Sequence, residues 1–210
     1  MQIKKRGQVS LEFMLVFGMM LILLLYSVNN ITFREGSTST ETLRIQISLE
    51  EKNLANAISN TVSQVYAQGP GAKSTTYVRL TYLRDPEMLR KGLNLNNASV
   101  FITYGNYSTE GNGTYITVTG TNVTAVLSGG NKNVFWSRAM YQAILYTNSS
   151  VWSPSGSVTF GSSTVYGLNL DPATLPATLE IVVEWNPDNP NSWMFNSTTG
   201  ELHININPGG

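Results

Sequence analysis

Residues 4–28 read KKRGQVSLEFMLVFGMMLILLLYSV, and this stretch decides how the chain is organised. Three basic residues come first, a single carboxylate follows at Glu12, and every residue from 13 to 26 is apolar, aromatic or glycine. A basic start followed by an apolar run is typical of a segment that targets a chain to a membrane. We expect the basic cluster to stay on the cytoplasmic side while the rest of the chain is sent outward.

The residues alone leave three interpretations of this stretch open. A secretory signal peptide would be cut after the apolar run, where only Ser27 offers a small residue. A plain membrane anchor would be short, because residues 13–26 make about 21 Å of helix against a hydrocarbon core of about 30 Å. If the chain were instead cut before Gln8, the new amino terminus of a neighbouring subunit could pair with Glu12. An unpaired charge there is costly, so such a pair would fix the register between subunits.

The sequence Lys-Arg-Gly-Gln-Val-Ser-Leu-Glu-Phe, followed by an apolar helix, resembles the class III signal sequence of archaeal type IV pilins. In that family a prepilin peptidase cuts after the glycine, which implies cleavage between Gly7 and Gln8. The resemblance covers residues 4–28 and says little about the rest of the chain. It implies a recognised leader cluster made of Lys4, Lys5 and Arg6.

The resemblance also implies a function. Glu12 would be the fifth residue of the mature chain, where pilins carry a glutamate, and it would act in assembly together with Phe13. The chain would then be a structural subunit of a surface pilus, serving adhesion or cell contact. Its expected partners are further copies of itself in a helical homopolymer, the prepilin peptidase and an assembly machinery in the membrane. It would be inserted in the membrane before assembly and extracellular afterwards. The alternative is a membrane-anchored, monomeric binding domain that does not polymerise.

The hydrophobic pattern predicts three segments: a leader over 1–7, a helical segment over 8–68 with a kink or weak turn near 29–38, and a β-rich extracellular domain over 73–210. Apolar residues at helical spacing from Leu43 to Tyr66 predict that the second part of the helix packs on the outer domain. The predicted fold class is α+β. A long, hydrophobic, pilin-like N-terminal helix is followed by an antiparallel β-sandwich or barrel-like domain.

Alternation of β-branched and aromatic residues with turn residues places the strands. A short helix over 85–91 and a helical turn within 134–146 are alternatives that the pattern leaves open. The candidate strands are 75–83, 99–104, 114–119, 122–127, 134–146, 157–160, 163–170, 178–185, 193–196 and 201–206.

Composition narrows the function classes. The formal net charge is zero, with 13 basic and 13 acidic residues. Loss of the leader would remove Lys4, Lys5 and Arg6, so the side chains of the mature chain would carry a net charge of −3. No basic patch interleaves with the aromatic residues, so a nucleic-acid partner is not expected. The chain has no cysteine, which excludes disulfides and thiol chemistry.

Candidate catalytic and metal-binding residues are few. His203 is the only histidine, so neither a metal site nor a cofactor is expected, and its place in a strand predicts a solvent-facing side chain. Glu180 and Glu184 should share the solvated face of an outer strand. The sequence contains neither a Gly-x-Ser-x-Gly motif nor a phosphate-binding loop, so we do not expect an enzyme.

Two further sets of residues, six aromatic side chains and the glycosylation sequons, are candidates for binding or modification. The aromatic residues Trp136, Tyr141, Tyr146, Trp152, Trp185 and Trp193 are expected in the core and its interfaces, with a sugar-binding platform as the alternative. Asn30 begins a glycosylation sequon too close to the apolar run to count. The candidate N-glycosylation sites of the outer domain are Asn97, Asn106, Asn112, Asn122, Asn148 and Asn196.

Overall fold

The structure is a computed structural model of the 210-residue chain. It describes residues 3–107, 111–120, 125–127, 129, 132–142, 149–161, 163–189 and 192–206, and within these ranges the side chains of 3–12 and 28–38 are not described. The chain divides into two compact units, Met1–Thr42 and Leu43–Gly210. The second is called the sheet unit below, because it holds all the strands.

Two α-helices, two short 3-10 helices and ten strands make up the described chain. The α-helices are α1, Ile3–Gln68, and α2, Pro86–Leu93. The 3-10 helices are Ser149–Val151 and Pro172–Thr174. The strands are β1 (Lys73–Arg79), β2 (Ser99–Gly105), β3 (Gly113–Thr119), β4 (Val134–Arg138), β5 (Trp152–Ser153), β6 (Ser155–Phe160), β7 (Ser163–Leu170), β8 (Thr178–Glu184), β9 (Trp193–Asn196) and β10 (Glu201–Asn205).

The predicted long hydrophobic N-terminal helix is wrong. Helix α1 has 66 residues, but its described side chains are apolar without interruption only over 13–26. Within the described residues, no helix combines the length and the apolarity needed to cross a membrane. The physical reason is that this run supplies about 21 Å of helix, whereas a bilayer core needs about 30 Å.

The strands form two five-stranded sheets, and the prediction of a purely antiparallel domain is also wrong. Sheet A has the order β1-β8-β10-β9-β5, and sheet B has the order β4-β3-β2-β7-β6. Sheet B is antiparallel throughout, but sheet A is mixed, because β10 pairs with β8 in parallel and β5 pairs with β9 in parallel. The fold is therefore α+β and sandwich-like, with one mixed sheet.

The two sheets differ in how their faces are covered. Strands β2 and β3 are buried along almost their whole length, because a second apolar cluster around Phe101, Tyr115 and Phe160 covers the other face of sheet B. In β1 exposed and half-buried residues alternate, so sheet A buries one face and leaves the other towards solvent. The main core joins α1, α2 and both sheets.

Helix α2 packs closely against α1. Its start is capped by Asp85, whose side chain accepts hydrogen bonds from the backbone N–H of Glu87 and of Met88. Gly92 lies at the contact: a Cβ there would come within 2.7 Å of Ile47 Cδ1 and 3.1 Å of Leu43 Cγ. The absence of a side chain at Gly92 thus permits the close approach of the two helices.

The local predictions mostly agree with the observed elements. The short helix is confirmed as α2, and strand 163–170 coincides with β7. Strand β4 covers only 134–138 of the predicted strand 134–146; residues 139–142 form no helical turn, and residues 143–146 lie outside the described part of the chain. The predicted strand 122–127 is reduced to a bridge at Ala125, and its residues 122–124 lie outside the described part of the chain. The two-residue strand β5 was not predicted.

We predict that Gly113→Ala weakens the sheet unit. A Cβ at Gly113 would lie 2.0 Å from the Ser137 carbonyl oxygen, so β3 and β4 would have to separate there. We expect a loss of about 2 kcal/mol in the free energy of unfolding. Urea denaturation followed by tryptophan fluorescence would measure it, because all four tryptophans lie in the sheet unit. Unchanged stability would contradict the close β3–β4 contact.

Candidate functional site

The first candidate surface is the apolar segment, residues 13–26 of α1. Its large side chains are all exposed, from 47% for Leu21 to 71% for Met14, and only Gly18 among its residues is half-buried. Successive helical residues are turned by about 100°, so this run presents apolar side chains in every direction. A helix that is hydrophobic all round is normally buried.

The area of the apolar segment is large. Thirteen exposed side chains of Leu, Phe or Met size present on the order of 1,000 Å² of apolar surface, taking about 80 Å² for each. The largest apolar patch on a typical monomer is about 300–600 Å². An apolar surface of this size indicates an interaction site rather than ordinary surface variation.

Most of the predicted processing and assembly residues cannot be placed. The side chains of Lys4, Lys5, Arg6, Gly7, Gln8 and Glu12 lie outside the described residues. Phe13 is described: it is 70% exposed, and its ring stacks on that of Phe17 with centroids 6.3 Å apart. The cleavage site and the role of Glu12 therefore stay predictions.

The second half of α1 is held in the sheet unit by two adjacent buried carboxylates. Glu50, 7% exposed, accepts hydrogen bonds from the backbone N–H of Thr81 at 2.5 Å and of Tyr82 at 2.7 Å. Glu51, 3% exposed, accepts one from Val118 N–H in β3 at 2.9 Å. One helix turn thus bonds to the segment that follows β1 and to sheet B. This pair was not predicted from the sequence, although two adjacent carboxylates in an amphipathic helix were a visible signal.

Burial perturbs two of the charged groups on this turn. Desolvation raises the pKa of the Glu51 carboxyl well above its ordinary value; the Val118 hydrogen bond opposes this rise, and the charge of Glu50 adds to it. Desolvation also lowers the pKa of Lys52, with the nearby Lys132 as a second cause. The Lys52 ammonium donates a hydrogen bond to the Trp136 carbonyl. Glu51 is therefore held by a backbone amide rather than by a cation.

Two serine hydroxyls of α1 make further hydrogen bonds, to sheet B and to the backbone just after it. The Ser59 hydroxyl donates to the Ser137 carbonyl at 2.7 Å and accepts from Thr114 N–H at 3.2 Å. The Ser63 hydroxyl accepts from Met140 N–H at 2.9 Å, just beyond β4. The hydrogen bonds between α1 and the sheet unit therefore extend from Glu50 to Ser63.

The outer face of sheet A carries the predicted histidine and glutamates, but not as expected. His203 lies on the face of β10 that points away from the core, as predicted, but it is only 20% exposed there and lies between two carboxylates. Its Nδ1 is 3.2 Å from Glu201 Oε1, within hydrogen-bond geometry. Its Nε2 is 3.2 Å from Glu184 Oε1, an ion-pair distance without hydrogen-bond geometry. Strand β8, which carries Glu180 and Glu184, lies between β1 and β10 and is not an outer strand.

A surface hollow of about 370 Å³ adjoins His203. It is lined by Ser153, Met194, Phe195, Asn196, Ser197, Glu201 and His203. In the described part of the chain, no group of three or more His, Cys, Asp or Glu residues could hold a metal ion. At His203 the two carboxylates approach different ring nitrogens, so the donors do not converge on one point. The parallel pairing of β10 with β8 places Glu184 near His203, and no local pattern in either strand indicates this pairing.

The described candidate aromatic residues pack in or against the two apolar clusters and do not form one platform. Trp152 and Trp193 lie in the main core with ring centroids 5.0 Å apart. Trp136 stacks on Tyr115 at 5.8 Å. Trp185 stacks on Tyr66 at 5.6 Å, and the edge of Tyr141 meets Tyr66 at 5.4 Å; Tyr146 lies outside the described residues.

The sequons differ in exposure. Asn97, Asn106 and Asn196 are exposed, and Asn112 is half-buried. The Asn196 side-chain oxygen accepts a hydrogen bond from Thr198 N–H at 2.9 Å, which fixes it in the turn after β9. Asn122, Asn148 and the side chain of Asn30 lie outside the described residues.

Comparison with known proteins adds no relative. No protein-family model, no curated protein and no solved structure matches the chain.

We predict opposite effects of two substitutions at Glu51. Because the folded state binds a proton more tightly than the unfolded state, the free energy of unfolding should fall as pH rises from the ordinary glutamate pKa to the raised one. Glu51→Gln keeps an acceptor for Val118 N–H without the charge. It should therefore remove this pH-dependent fall, and above the raised pKa it should be more stable than wild type. Glu51→Ala leaves that N–H unpaired and should cost about 1–3 kcal/mol.

Chemical denaturation of wild type and both variants, at a series of pH values from acid to mildly alkaline, measures both effects. Equal destabilisation by glutamine and by alanine would show that the charge itself is required at this position.

Proposed function

We propose that the chain is a subunit of an extracellular surface filament of the type IV pilus kind, assembled through the apolar segment after removal of the leader. The observation that carries the proposal is the all-round exposure of residues 13–26, while Leu43–Gly210 form a separate unit with its own core. The resemblance of residues 4–28 to a class III signal sequence supports the same function. In this proposal the chain is held at the membrane until the prepilin peptidase and the assembly machinery act on it.

Several neighbours cover the apolar segment better than one does. A single partner covers one side of a helix, whereas the exposed side chains of this segment point to all sides. A standard interface takes about 800 Å² from each partner, and the segment presents on the order of 1,000 Å² around its circumference. Identical helices, each surrounded by several others, would bury this surface completely.

The exposed sequons fit an outward-facing sheet unit. Asn97, Asn106 and Asn196 have exposed side chains, so they are the described candidates for glycan attachment. A polar, uncharged surface is also consistent with the low charged fraction of 12%. Adhesion or cell contact would then be the task of this unit.

The first test is the N-terminal residue of the surface protein. We expect mass spectrometry of a sheared surface fraction to find a mature chain that starts at Gln8, in material that sediments as filaments. A start at Met1 would contradict the proposal and favour an anchored domain, and a start near Asn29 would indicate a secreted one.

The second test concerns Glu12. We expect Glu12→Ala and Glu12→Gln to be cleaved normally but to reduce the amount of filament by more than about tenfold, because both leave the amino terminus of a neighbour without its charged partner. Glutamine is the matched variant, since it keeps the shape and removes only the charge. Wild-type amounts of filament from both variants would rule out a role in register.

A second candidate function is a monomeric, anchored binding domain. The hollow beside His203 favours it, because carboxylate, amide and hydroxyl groups line it together with Met194 and Phe195. This candidate predicts uncleaved chains that remain monomeric after detergent extraction.

A further inference from the structure

Gly18 is the one residue of the apolar segment without a large side chain. It lies inside α1 with helical backbone, so no left-handed conformation calls for glycine there. Apart from proline, glycine is the least favourable residue in a helix interior. A glycine at this position therefore needs a reason outside the helix backbone itself.

The described chain offers no packing reason for Gly18. A Cβ added there would meet no described atom within 4 Å, apart from its chain neighbours and the helix's own backbone. Gly92 is the contrasting case, because a Cβ there would strike Ile47 Cδ1 at 2.7 Å. Gly92 is needed where α2 passes close to α1, whereas the space over Gly18 is open.

We propose that Gly18 is the point at which the α1 helix of a second copy of this chain crosses the apolar segment at close range. The inference rests on the proposed function and names the contact through which that assembly packs. Small residues let helix backbones approach closely, and this closeness increases the van der Waals contact of the side chains around them.

The neighbouring residues make the second copy the fitting occupant. Met14, Leu15, Leu21 and Ile22 are three or four positions from Gly18, so they border the gap on the same helix face. All four are exposed and apolar. A second apolar segment offers both the large side chains that fill such a gap and the continuous apolar surface around it.

The test compares full-length variants, each expressed as the sole copy in the producing cells. The measured quantity is the ratio of chain that sediments as sheared filaments to total processed chain, which separates assembly from leader cleavage. We expect Gly18→Ala to lower this ratio by about tenfold and Gly18→Leu to abolish filaments, because added carbons hold the helices apart. Alanine and leucine both favour the helix more than glycine does, so loss of assembly would not reflect loss of helix.

The matched control is Ala67→Leu, which adds bulk at an exposed position of α1 outside the apolar segment. It should give the wild-type ratio. A wild-type ratio from Gly18→Leu would overturn the close crossing while leaving the filament proposal intact. If the leucine variant is degraded, the alanine variant decides alone.

The outcome for wild type separates this inference from the proposed function. Wild-type chain that never sediments as filaments, and that floats as a monomer with phosphatidylcholine vesicles, would assign lipid as the cover of the segment. Both proposals would then fall together. If wild type forms filaments and Gly18→Leu gives the same ratio of filament to processed chain, only the proposal of a close crossing is overturned.

Discussion

The docking of the second half of α1 is the interaction on which the sheet unit depends. Its apolar stripe supplies one wall of a core that the inner faces of both sheets share. The same helix turn places Glu50 on the backbone after β1 and Glu51 on β3, so that backbone N–H groups at both places find carboxylate acceptors. Apolar area provides most of the favourable free energy here, and the buried hydrogen bonds determine where along the sheets the helix lies.

Features that depend on local sequence pattern, such as the buried face of α1 and the bounds of β7, were predictable from the sequence. The spacing of Leu54, Ile58 and Val62 identified the buried face of α1, and all three are in the core. Strand β7 was found with its observed ends, because β-branched and aromatic residues alternate there between turn signals. Helix α2 lies where a short helix was considered, over 85–91, and Asp85 caps its first turn.

Pairing between distant strands was not predictable. The parallel register of β10 on β8 joins residues from Glu201 and Glu180 onward, and nothing in either strand alone distinguishes a parallel from an antiparallel neighbour. This register brings His203 near Glu184, and the low exposure of His203 on the outer face of sheet A was therefore not predictable from its own strand. The short strand β5 has only two residues, too few for any alternation to be visible.

The apolar segment raises a problem of specificity that apolar area cannot solve. Contacts between Leu, Ile, Met and Phe side chains are non-directional, and a segment that is apolar on all sides could slide or rotate against its copies with little change in buried area. On the filament proposal, register must therefore come from the few residues that differ from this background. Within and beside the segment these are Gly18, which selects a distance between helices, and Glu12, which selects an axial position by its charge. The apolar surface alone would make the helices associate. Together with Gly18 and Glu12 it would specify one distance and one register between them.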